Sequence, residues 1–101
     1  MATLYIDQFQ LAGNNGFNTV QAALQPPLVA TTALSVSGTS AASSFLNEKT
    51  TLVRLQADTN CFVIFGTSPT AVTSSSTPLS VGTPEYFAVP AGGTLKIAAI
   101  L

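Results

Sequence analysis

Hydrophobic residues in this chain recur at every second position far more often than at every third or fourth, a period that predicts strands and not helices. In "TTLVRLQA", Thr51, Val53, Leu55 and Ala57 fall on one face and Leu52, Arg54 and Gln56 on the other. Asp58-Thr59-Asn60 then supplies turn chemistry. The return segment "CFVIFG" at 61–66 is apolar on both faces, Cys61, Val63 and Phe65 alternating with Phe62 and Ile64, so it has to be covered on both sides. This punctuation predicts a β-hairpin over 51–66. A second is expected at the C-terminal end, where Phe87 and Val89 align inward with Leu95, Ile97 and Ala99 across the Gly92-Gly93 reversal. Pro84 suits the first residue of a strand, where a missing N–H costs little.

Shorter alternations occur upstream. "TLYIDQF" at 3–9 sets Leu4 and Ile6 against Thr3, Tyr5 and Asp7, and "ALSVSG" at 33–38 sets Leu34 and Val36 against serines. The best helical candidate is "TVQAALQ" at 19–25, one or two turns ended by Pro26-Pro27. The Ser/Thr/Pro-rich stretch at 66–84 reads as a surface loop carrying at most one short strand. Six or seven short strands are expected in all. They define an all-β chain: a small β-sandwich or jelly-roll-like domain with an extended N-terminal arm. Residues 1–32 form the N-terminal strand, arm and irregular segment, and 33–101 the sandwich.

Composition narrows the function. One domain with one core fits 101 residues. Charged residues are 7%, against about 25% in an ordinary soluble protein, so Ser, Thr, Asn and Gln must make the polar surface. Three Lys+Arg against four Asp+Glu leave no basic patch to neutralise phosphates, which argues against direct nucleic-acid binding and against anionic membranes. No apolar run approaches the roughly 20 residues of a membrane helix, and the N-terminus lacks the features of a secretion signal, so synthesis in the cytoplasm is expected.

Candidate chemistry is sparse. The chain has no His, which removes Ser-His-Asp and Cys-His catalysis and the commonest zinc ligand. The four acids, Asp7, Glu48, Asp58 and Glu85, are scattered and read as solvated carboxylates. "GNNG" at 13–16 and "GG" at 92–93 open no long helix and read as turns, not phosphate loops. The single Cys61 lies in an apolar run and reads as a small buried hydrophobe. No catalytic, cofactor-binding or metal site is expected, and a binding or structural role is.

The outward strand positions point to association. Leu52, Phe62, Ile64, Tyr86, Ala98 and Ile100 fall on outer faces, an unusually apolar set for a monomer of this size. Burying three large side chains contributes on the order of 5 kcal/mol before association costs. The expected interface residues are Phe62, Ile64, Tyr86 and Ile100, with Tyr5 and Phe9 on the arm. Alternatively, a strand from the chain's own N-terminal segment folds over this face.

From about Thr50 onward the chain resembles small proteins encoded near the major capsid gene of tailed bacteriophages. The resemblance rests on Val53-Arg54-Leu55, Ala57-Asp58, Cys61, Val63, Phe65-Gly66, Ser68-Pro69-Thr70-Ala71, Pro84-Glu85-Tyr86-Phe87, Val89 and Ile97. It implies a capsid decoration or cement protein on the outer surface of the virion. Its partners would be other copies of itself, as a trimer, and the major capsid protein. A low-copy neck or tail protein and a carbohydrate-binding β-module, with Tyr5 and Tyr86 stacking on sugars, are the alternatives.

Overall fold

The computed structural model describes residues 2–10 and 30–101. Among them eight strands form and no helix: β1 (Ala2–Phe9), β2 (Thr32–Val36), β3 (Ala41–Ala42), β4 (Leu52–Ala57), β5 (Cys61–Gly66), β6 (Thr77–Leu79), β7 (Glu85–Ala88) and β8 (Lys96–Ile100). They build two antiparallel four-stranded sheets, β2-β1-β4-β7 and β3-β8-β5-β6. The fold is the expected all-β sandwich, with β3 and β6 too short to stand out as periodic runs.

The pairing follows one rule. β5 pairs with β6, β4 with β7, β3 with β8 and β2 with β1, and successive pairs lie in alternate sheets. The chain is thus a long two-stranded ribbon, folded at the 67–76 loop and wrapped around one core, as in a jelly roll. The strand that completes the wrap, β1, precedes β2 in sequence and does not follow β8.

This wrap corrects both expected hairpins. β4 and β5 lie in different sheets, as do β7 and β8, so each turn arches across the core. Period-two alternation fixes which side chains point inward, and an arch satisfies that pattern as well as a hairpin does. The polar groups around Asp58–Asn60 show why the arch holds. Asn60 Oδ1 accepts the Val81 N–H at 2.8 Å, and the Ala57 carbonyl accepts the Gly82 N–H at 2.9 Å. Asp58 accepts the Thr3 N–H at 2.7 Å through its side chain and donates its own N–H to the Thr3 carbonyl at 3.1 Å. The turn is bonded to neighbouring segments, not across a hairpin.

The assignment of inward positions agrees with the structure. Val53, Leu55, Val63, Ile97 and Ala99 are buried, with Leu4, Ile6 and Val36 from the first two strands, in one core on which Phe65, Phe87 and Leu95 pack. The rings of Phe65 and Phe87, from opposite sheets, lie 5.3 Å apart. β1 is an inner strand, registered on β2 from Ala2↔Val36 to Ile6↔Thr32 and on β4 from Leu4↔Ala57 to Phe9↔Leu52. Ala2–Phe9 is therefore sheet, and residues 11–29, with the expected helix at 19–25, lie outside the described residues.

A buried amide anchors the turn before β4. Gln8 points inward and its Oε1 accepts the Asn47 N–H at 2.7 Å and the Thr50 hydroxyl at 2.9 Å. Against this turn packs the Gly92-Gly93 reversal, the Gly92 N–H donating to the Glu48 carbonyl at 2.7 Å. Gly93 has φ of 66°, and a Cβ there would stand 2.9 Å from the Leu46 carbonyl oxygen. Left-handed backbone alone costs a non-glycine residue about 1–2 kcal/mol, and the clash adds to it. Gly93→Ala is expected to destabilise the fold by about 2 kcal/mol or more, read as a lower urea midpoint with unchanged slope.

Candidate interaction surfaces

The six residues expected at an interface divide between two opposite faces of the sandwich. Tyr5, Phe9 and Tyr86 stand on the outer side of the first sheet, and Phe62, Ile64 and Ile100 on the outer side of the second. No single flat surface holds all six.

The first outer face is polar. Tyr5 registers on Gln56, Asp7 on Arg54, and Arg54 on Tyr86. Arg54 Nη1 meets Asp7 Oδ2 at 3.2 Å, Arg54 Nη2 donates to Gln56 Oε1 at 2.7 Å, and the Thr31 hydroxyl donates to the other Asp7 oxygen. Arg54 is thus held within its own sheet by Asp7, with Glu85 left exposed at the edge strand. Tyr5 and Tyr86 are 42% and 50% exposed. They are two strands apart and offset by two residues, roughly 12 Å along the sheet surface by standard strand dimensions. Phe9 differs from them. At 7% exposure it belongs to the chain's own interior and has little surface to offer a partner.

The second outer face is apolar. Phe62 lies between Pro78 and Ile100, and Ile64 beside Ala98, which in turn registers on Ala42. Lys96 stands at one end, its Nζ 4.6 Å from the centre of the Phe45 ring. Phe62, Ile64 and Ile100 are half-buried and Ala98 is fully buried.

Part of the cover is the Ser/Thr-rich loop. Ala41 and Ala42 register on Ala99 and Ala98, which places Ser40 in the row of Ile100 with its side chain outward. Its Oγ accepts the Ala71 N–H at 2.8 Å, although the loop leaves β5 at Gly66, in the row of Lys96 at the other end of β8. The loop therefore doubles back over the outer face, burying Ala71 itself. A tight turn follows, with the Val72 N–H on Ser76 Oγ at 3.0 Å and the Ser76 N–H on the Val72 carbonyl at 3.1 Å. This arrangement leaves Val72 40% exposed. The two-sided apolarity of 61–66 signalled that a cover was needed. It did not identify the loop, because a serine bonded to a backbone N–H 31 residues away leaves no periodic trace.

The described residues hold no group of three or more His, Cys, Asp or Glu able to bind a metal ion. A cavity of about 40 Å³, lined by Ile6, Gln8, Thr32, Phe45 and Leu46 among others, has room for a few waters, whereas ligand pockets start at about 300 Å³.

Cys61 is buried. Desolvation pushes its thiol pKa up, and the charge of Asp58 pushes it further in the same direction. Such a thiol is a poor nucleophile. In the native protein it is expected to resist an aromatic disulfide reagent at pH 8 and to react fully once urea unfolds the chain. Because the folded state favours the protonated thiol, the corresponding stability is lost as pH rises above the ordinary thiol range.

Comparison with known protein families, with curated proteins and with solved structures finds no match to this chain in any of the three.

Proposed function

We propose that this chain is a structural virion protein that decorates and stabilises a tailed-phage capsid, binding the major capsid protein across capsomer boundaries as a homo-oligomer. It would be made in the host cytoplasm and sit on the outer surface of the shell. The observation that favours this reading is the contrast between the two outer faces. One has an ion pair, tyrosines and amides suited to water. The other presents the half-buried Phe62, Ile64 and Ile100 beside Pro78. An apolar outer face on so small a sandwich suits an association surface.

The energetics suit a shell protein. Half-buried side chains add less than the about 1.5–3 kcal/mol of a fully transferred Leu or Phe, so each contact is weak. Simultaneous engagement of several copies converts weak contacts into strong retention. Scarcity of charge on this face also avoids the desolvation cost of burying ions.

The test is co-sedimentation of purified protein with isolated shells of the phage that carries it. Wild-type protein is expected to bind saturably. Ile100→Asp, which puts a carboxylate at a half-buried outer position, is expected to weaken binding at least tenfold while circular dichroism stays native. Absence of wild-type binding to the shells would contradict the proposal.

A second reading has its own observation. Tyr5 and Tyr86 flank Arg54, Gln56 and Asp7 on one flat, electrically balanced face, an arrangement suited to a neutral saccharide held by stacking and hydrogen bonds. Glycan-array binding that Tyr86→Ala abolishes would favour this reading. A blank array with folded protein would set it aside.

A further inference from the structure

Each sheet has two edges, and three of the four are protected. β3 is only two residues long. β6 has Pro78 at its centre. β7 spans four residues between Pro84 and Pro90 and starts on the exposed Glu85. Shortness, proline and charge are the devices by which sandwiches prevent edge-to-edge pairing.

β2 has none of them. Thr32–Val36 pairs with β1 over five consecutive residues, a regular ladder without interruption. It contains no proline, and no charged residue occurs anywhere from Ala30 to Leu46. Among the described residues no strand pairs with its other side. A regular, uncharged edge of this kind is a template for a further strand.

The sequence of β2 also indicates which strand fits. Laid antiparallel to itself about Leu34, it sets Leu34 opposite Leu34, Thr32 opposite Val36 and Ala33 opposite Ser35. The inward positions Thr32, Leu34 and Val36 then meet inward positions, and the small outward Ala33 and Ser35 meet each other. This is the self-complementarity of an isologous twofold contact. It brings no like charges together.

We propose that β2 is a dimerisation edge: two copies pair β2 to β2, antiparallel, joining their first sheets into one continuous eight-stranded sheet. The contact lies at an edge and is separate from the apolar outer face. It does not rest on the capsid reading, and a chain that never meets a shell would still form it. It makes the number of copies even, where the resemblance to phage proteins implied three.

Light scattering over a range of concentrations tests it, paired with hydrogen exchange at the Ala33 and Ser35 amides, which point away from β1. Wild-type protein is expected to show twice the 10.3 kDa chain mass, or another even multiple, with these amides protected at high concentration and exchanging faster on dilution. Ala33→Lys/Ser35→Lys places lysines opposite one another on outward, exposed positions. It should raise the dissociation midpoint at least tenfold and abolish the concentration-dependent protection. Ser35→Lys alone should do the same to a smaller degree, and Thr77→Lys on the β6 edge should change neither readout. Three results would overturn the proposal. They are a monomer with freely exchanging Ala33 and Ser35 amides, protection equal at all concentrations, which would mean that other residues of the chain cover the edge, and an odd-numbered oligomer indifferent to the lysines.

Discussion

The first sheet depends on the insertion of Ala2–Phe9 between β2 and β4. Leu4 and Ile6 are almost wholly buried there, and the strand is fixed along its length by side chains from distant parts of the sequence. Asp58 clamps its start at Thr3, Arg54 meets Asp7 at its middle, and Gln8 near its end holds Asn47 and Thr50. Removing β1 would leave β2 without its paired neighbour and open the core from one side. Except for β5 with β6, the strand pairs are distant in sequence, so ordering this sheet requires closing long loops before their contacts form. That topology belongs to the slower-folding class of small domains.

The wrap has a functional consequence. By sending β4 and β5, and again β7 and β8, to different sheets, it places Tyr5 and Tyr86 on one outer face and Phe62, Ile64 and Ile100 on the other. A protein built this way can present a polar surface to water and an apolar one to a partner. The Ser40 bond to Ala71 ties the loop to the apolar face, where Ala98 is buried and Phe62, Ile64 and Ile100 are part-exposed. Such a surface is compatible with a protein that stays dispersed before it meets its partner.

Faces were legible in the sequence, and partners were not. The alternation in Thr51–Ala57 and Leu95–Ala99 is a local consequence of extended backbone, and it gave the inward sets as they stand in the core. Which strand lies beside which is decided by contacts such as Asn60 with Val81 and Ala57 with Gly82, and these have no period. Both arches therefore read as hairpins. Phe9 shows the same limit. Its alternation puts it on the outer side of β1, beside Leu52, yet it is buried, and burial on an outer face depends on what passes over it. The Arg54 ion pair was similarly open, since Asp7 lies 47 residues away and only the β1–β4 register brings the two together.

Quantitative peptide mass spectrometry on purified, washed particles, counting this chain against the major capsid protein, tests the central claim most directly. The account predicts a fixed ratio with many copies per shell, reached in every preparation. A handful of copies per particle would move the chain to a neck or tail position, and its absence from washed particles would contradict a structural role in the virion.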